Sequence, residues 1–552
     1  MIPKKEKYII TPIALILIVT SLFCTGCGDK FCVKGDCKDG YGRYEMPDGI
    51  KYEGYWKEGK YNGKGKISFP DGSVYNGEFT DGIQNGQGTM TYNNGTEYKG
   101  QWKDGLRHGH GDYLFADGTK YSGEWRNDKI SSKGLMEYKD GSFYWGMFVD
   151  GKRNGAGKLI LSGGDIYTGQ FVNNEMTGEG TYLLKDGTEY KGIFENGFLN
   201  GTCHISYPDE SIYQGQCKEN IKSGEGTLIY KDGRKYKGQF KNGFFHGQGD
   251  YVLEDGSKYI GEFKEGRITG KGTMFYAGGA RYTGTFENGK KYGKGILILP
   301  NGEKYEGTFN NDQKQGIGTI VYADGLKYNG EWKNDLKNGF GTLIWPDGRR
   351  YRGEFKDGLF QGSGKYKMAD GSVYRGSFNE GKISGKGTMI YKDGKKYSGT
   401  WKNEKWQGEG ELIWPDGKTY KGKFDNGQIT GYGRLSYPDG RFYEGTLKDG
   451  IMQGKGLFVW PDGRRYQGEW DNGKYTDNGK YTFPDGRYYN GQWKEGEYNG
   501  YGSLTFPDGS RYEGMWKNNK MDGKGTYIYP PTDDNKEGKE IKGEWKDGVR
   551  VK

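Results

Sequence analysis

An all-β chain, built as an elongated twisted single-sheet array of antiparallel hairpins, is predicted by three observations. A unit of 23 residues repeats in one unbroken phase, apolar and polar residues alternate within it, and two turns punctuate it. Tyrosine recurs at 52, 75, 98, 121 and onward to Tyr512, 21 occurrences, each followed two places later by glycine, from Gly54 to Gly514. The prediction is 21 full units plus capping half-units at either end.

Each element of the unit has a physical reason. Gly65-Lys66-Ile67-Ser68-Phe69 alternates as a half-buried strand does. Pro70-Asp71-Gly72 is turn chemistry, since proline presets its own φ and glycine accepts the left-handed region. Tyr75, Gly77 and Phe79 then share one face of a second strand. Seven residues after each tyrosine comes glycine, asparagine or aspartate, with Glu404 the single exception, which places a second turn there. Four residues after the tyrosine stands tryptophan or phenylalanine in 19 of 21 units, Cys217 and Leu447 being the departures.

The glycines are expected to form a floor for the rings. A large ring lying across a sheet needs a neighbour without a side chain, so Gly63 with Gly65, and Gly86 with Gly88, are assigned to that floor. Where a ring is missing, the glycine beneath it should be free to vary.

The pattern Y-x-G-x-[WF]-x-x-G-x-x-x-G-x-G, then an apolar strand and an Asp-Gly turn, resembles the MORN repeat (membrane occupation and recognition nexus). Tyr75, Gly77, Phe79, Gly86 and Gly88 carry it in one unit, and Tyr489, Gly491, Trp493, Gly500 and Gly502 in another. The resemblance covers roughly residues 40 to 552 and implies a groove-like single sheet. It implies no chemistry.

Residues 1–27 differ in kind. Lys4, Lys5 and Lys7 precede an apolar run from Ile9 to Phe23, as in a secretory signal. Thr25-Gly26-Cys27 resembles the end of a bacterial lipobox, which implies a lipid on Cys27; Cys24 stands where leucine is usual. Lipidation, a retained anchor and simple secretion all place the array outside the cytoplasm. Residues 28–51 are expected to form a tether and capping half-repeat, 52–529 the array, and 530–552 an insertion with a C-terminal cap.

Cysteine use adds one sharp expectation. Cys203 replaces the second floor glycine of its unit and Cys217 the ring four residues past Tyr213, each departure occurring once. Counting from the turn at Asp209-Glu210 brings them opposite or nearly so, and a disulfide is expected in an exported protein. Cys32 and Cys37 either form a bridge in the cap or remain free thiols.

Little points to chemistry. His108 and His110 lack residues that would complete a metal set. Gly-x-Gly occurs without the helix a nucleotide phosphate needs. No catalytic residue, cofactor or metal is expected, nor is nucleic-acid binding, because lysine and glutamate interleave and the net charge, +9, falls only to +7 without residues 1–26. The expected function is that of a non-enzymatic envelope lipoprotein, a scaffold for protein partners or self-association. The alternative is recognition of lipid headgroups or envelope glycan, which outward Tyr and Trp would favour and the lack of a basic stripe disfavours.

Overall fold

The computed structural model describes residues 31–531 and 537–552; Cys24, Cys27 and the apolar run before them lie outside the described residues. The chain divides into two compact units, the first holding residues up to 279 together with 286–289, the second 280–285 together with 290–552. Both are built of strands and turns with no α-helix among the described residues.

In each unit the strands alternate between two kinds. A seven-residue tyrosine strand such as Lys51–Lys57 is followed by a nine-residue glycine strand such as Lys60–Ser68. Each pairs antiparallel with the strands before and after it, as in a meander. Alternation decides the faces: in Lys51–Lys57 every second residue, from Tyr52 through Gly54 to Trp56, is buried.

The two turns differ. After the tyrosine strand, Glu58 (φ 49°) and Gly59 (φ 74°) form a two-residue loop with both φ positive, the type I′ geometry that matches strand twist. Glu404 takes φ 67° at the corresponding place, so the exceptional residue accepts the same conformation. After the glycine strand, Gly72 adopts φ 91° and donates to Phe69 O (3.0 Å), while Asp71 Oδ1 accepts from Ser73 N (2.8 Å).

A bulge explains the first glycine of the Gly-x-Gly pair, and corrects its assignment to the floor. Pairing runs Gly54↔Gly65 and then Trp56↔Tyr61, so the glycine strand carries extra residues there. Gly63, Gly86 and Gly500 sit in that bulge at φ 72°, 106° and 100°. Their service is backbone conformation. Ser132 (φ 59°) and Asp477 (φ 51°) fill the place in two units and accept the same strain.

The ends are closed differently. Cys32–Gly35 pairs with Tyr41–Glu45, and a Cys32–Cys37 disulfide spans the turn beside them. At the other end Lys539–Lys546 pairs with Lys520–Tyr529 across the six-residue insertion, bringing Ile541 opposite Tyr527.

Candidate interaction surface

The inner face is filled by rings. In every repeat but that of Tyr190, the floor beneath the tyrosine consists of the glycine two residues after it and the second glycine of the pair. A Cβ on Gly65 would stand 2.6 Å from Tyr52 Cε2 and Cζ, and one on Gly54 would meet the Cα of Gly65 and the Tyr52 hydroxyl. Lying flat, the ring sends its hydroxyl to the carbonyl three residues ahead: Tyr52 to Tyr55 O (2.7 Å), Tyr328 to Glu331 O (2.8 Å), Tyr489 to Gln492 O (3.0 Å). Twenty of the 21 repeat tyrosines donate this bond. Tyr190 is the exception.

Away from Cys217 and Leu447, the tyrosine rings each meet two others edge-on. Tyr75 contacts Phe79 of its own strand (5.1 Å, 80°) and Trp102 of the next unit (5.2 Å, 87°); Tyr489 contacts Trp493 and Trp516 in the same way. Such pairs contribute about 0.5–1.5 kcal/mol beyond burial. The tryptophans also donate Nε1–H to a floor carbonyl, Trp102 to Gly88 O (3.1 Å) and Trp493 to Gly479 O (2.9 Å). The ladder loses a ring at Cys217 and at Leu447.

Cys203 and Cys217 are joined by a disulfide, with Cα atoms 5.9 Å apart. They are diagonal neighbours, since the register pairs Gly201 with Cys217 and Cys203 with Gly215. The floor that Cys203 replaces belongs to Tyr190, whose ring is present. The expectation that a varied glycine lies beneath a missing ring is therefore corrected. A side chain now occupies the floor of Tyr190, and that tyrosine is the one without the ladder hydrogen bond.

A position the sequence reading passed over lies nine residues after the tyrosine, against its ring. Aromatic residues stack there: Tyr61 on Tyr52 (3.8 Å, 19°), Phe360 on Tyr351 (3.8 Å, 12°) and Tyr498 on Tyr489 (3.9 Å, 18°). Elsewhere a cation takes the place, Arg107 beside Tyr98 and Lys314 beside Tyr305. Three of these cations pair with an aspartate 21 residues on: Arg107 with Asp128 (3.0 Å), Lys291 with Asp312 (3.3 Å) and Lys314 with Asp335 (3.7 Å). For Lys222 and Lys337 the corresponding residues are Gly243 and Gly358. Burial depresses both ammonium pKa values, with nearby Lys314 adding to the effect on Lys337. The signal was readable: a cation nine residues past the tyrosine, with aspartate 21 residues later.

Burial holds the ladder tyrosines in the neutral form; Tyr259, Tyr374 and Tyr420 are pushed up to about 12. A folded value above the unfolded one, near 10, gives stability that is complete below about pH 10 and lost as pH rises toward 12. Alkaline titration should therefore show ladder tyrosinate absorbance rising together with loss of the β circular dichroism signal. Ionisation of those tyrosines in a chain that keeps its sheet would contradict this.

The outward face is where the units differ. Trp145 is 63% exposed, and Tyr55, Tyr432, Tyr501 and Phe340 also face out. Charge is unevenly shared: the second unit carries 46 Lys and Arg against 36 Asp and Glu, a net +10, and the first unit −1. Counting charge over the whole chain hides this imbalance. His110 lies 3.5 Å from Glu124, and among the described residues no three of His, Cys, Asp and Glu gather as a metal group. No described helix is long and apolar enough to cross a membrane.

No curated protein matches the chain. Similar solved structures include the TCP domain of SAS-4 from Drosophila melanogaster, at 15% identity and TM-score 0.19, covering 32% of this chain and 90% of that one. The TCP10 domain of CPAP from Danio rerio has 14% identity and TM-score 0.13, covering 44% and 93%. A virginiamycin B lyase from Staphylococcus aureus has 11% identity and TM-score 0.09, covering 62% and 97%. Scores this low bear on neither fold nor function. The MORN repeat family model matches 21 successive stretches, from residues 52–74 to 512–533. With that match over most of its length, and the floor, ring and turn recurring along it, the chain belongs to the MORN repeat family.

Proposed function

We propose that the protein is a non-enzymatic scaffold of the cell envelope, tethered through a lipid on Cys27 and presenting its outward face to protein partners or to its own copy. The observation that carries this is the division of labour in the repeat. Tyrosine hydroxyls, tryptophan N–H groups and floor glycines are consumed by internal contacts, so recognition falls to the outward side chains, which vary from unit to unit. Stacked repeats suit extended binding surfaces. The apolar run and Thr25-Gly26-Cys27 support export and lipidation. Crosslinking of the full chain in intact cells should capture a recurring protein or a second copy, and Cys27→Ala should release the chain from the membrane fraction. A monomer that captures nothing would sink the scaffold reading.

Recognition of lipid or glycan is the second reading, favoured by outward Trp145, Tyr432 and Tyr501. If this second reading is right, the unaltered chain should be retained on envelope glycan and replacing all three by alanine should abolish that retention; no retention by the unaltered chain would leave the first reading alone.

A further inference from the structure

The excess positive charge of the second unit includes a cluster on the outward face of three successive strands, Arg350–Lys356, Leu359–Lys367 and Val373–Asn379. Arg352 stands opposite Lys365, and Lys365 opposite Arg375; beside them Arg350 stands opposite Lys367. All five side chains are exposed. Like charges placed directly across a sheet are destabilising. The comparable pair Lys421–Arg434 is relieved, because Glu411 faces Lys421 and Glu444 faces Arg434 at 3.7 Å. Around Arg352, Lys365 and Arg375 the cross-strand neighbours are Thr342 and Thr388, which bring no negative charge. None of the five cations forms an ion pair among the described residues.

Next to the cluster lies an apolar seat. Phe340 is 50% exposed, with the Arg352 guanidinium 5.9 Å from its ring, and Ile317 beyond it is 71% exposed. An open groove of about 570 Å³ runs past Leu336, Phe340 and Phe355. Two carboxylates share this face: Glu331 opposite Ile317 and Glu354 opposite Phe340. Their Oε1 atoms accept from the backbone N–H of Phe340 (3.0 Å) and Ser363 (3.2 Å), which holds them in place.

We infer that this face is a docking site for an acidic protein segment carrying an apolar residue. Its carboxylates would sit over Arg352, Lys365 and Arg375, and its apolar side chain on Phe340. The fixed glutamates favour a discrete peptide over an anionic bilayer. A bilayer would press uniform negative charge onto Glu331 and Glu354, whereas a peptide can place its apolar residue there. The inference rests on the scaffold reading and adds the place and chemistry of one partner contact.

The test compares the full chain with Lys365→Glu, Lys365→Gln and, as a control in the first unit, Lys66→Glu. The probe is short poly-L-glutamate at low salt. Lys365→Glu should weaken binding about ten-fold or more, Lys365→Gln should weaken it less, and Lys66→Glu should have little effect. Lys365→Glu should also raise the unfolding midpoint, because Arg352 and Arg375 gain an opposite charge between them. That combination marks a surface held at a stability cost for binding. Absence of poly-glutamate binding, equal weakening by Lys66→Glu, or tighter Lys365-dependent binding to phosphatidylglycerol vesicles would each overturn the inference. If Lys365→Glu keeps every crosslink made in intact cells, the docking site fails and the scaffold stands. Capture of nothing by the unaltered chain would fail the scaffold itself.

Discussion

Gly410→Ala is expected to destabilise its hairpin by about 3 kcal/mol, the upper range for inserting a methyl group into a packed site. The Cβ would stand 2.6 Å from the Tyr397 hydroxyl, 2.7 Å from Cε2 and 2.8 Å from Cζ, and Tyr397 is wholly buried. The ring cannot retreat cheaply. Trp406 stacks on it at 4.8 Å, with Trp401 and Phe424 edge-on at 5.0 Å. The far side of the site is sheet backbone. Gly278→Ala is the matched control: a Cβ there meets nothing within 4 Å, so a change within about 0.5 kcal/mol is expected. Urea unfolding reads the loss, and hydrogen exchange over residues 396–413 locates it. Equal effects from the two variants would refute the floor. The chain already contains a related experiment, since Cys203 puts a side chain on the floor of Tyr190, the tyrosine without the ladder bond.

Much of this architecture was legible because the period was unbroken. Twenty-one copies make the tyrosine, its glycine and the turn residues stand out, and alternation alone assigns Tyr75 and Phe79 to one face. The roles within Gly-x-Gly were less legible. A floor and a bulge both call for glycine, and only the pairing of Gly54 with Gly65, followed by Trp56 with Tyr61, separates them. Ser132 and Asp477 offered a clue, because residues other than glycine tolerate a positive φ more readily than a ring pressed on their Cβ. The docking face was hidden for another reason. Arg352, Lys365 and Arg375 are 13 and 10 residues apart in the chain, a spacing that means nothing until strand register makes them neighbours.

The Cys203–Cys217 bridge is expected to be the part of the first unit most sensitive to redox state. Its 14-residue separation corresponds to roughly 3 kcal/mol of stabilisation in the chain-entropy account. Cys203→Ser with Cys217→Ser should lose about that much, since it removes the bridge and restores neither floor nor ring. Cys203→Gly with Cys217→Phe is more telling. It returns the floor to Tyr190, lets its hydroxyl reach the Ile193 carbonyl, and supplies an edge-on ring between Tyr190 and Tyr213. That variant should recover much of the loss, and its exchange protection around residues 189–218 should be the same with and without reductant, because reductant then cuts only the distant Cys32–Cys37 bridge. Urea unfolding of the native chain and both variants, each with and without reductant, separates the possibilities. If the glycine–phenylalanine variant is as unstable as the serine pair, the ladder and the bridge are not interchangeable supports. If it matches the oxidised native chain, the bridge replaces a missing rung. Because stability in a repeat array is approximately a sum of nearest-neighbour terms, exchange protection should fall first around residues 189–218 when the bridge is cut.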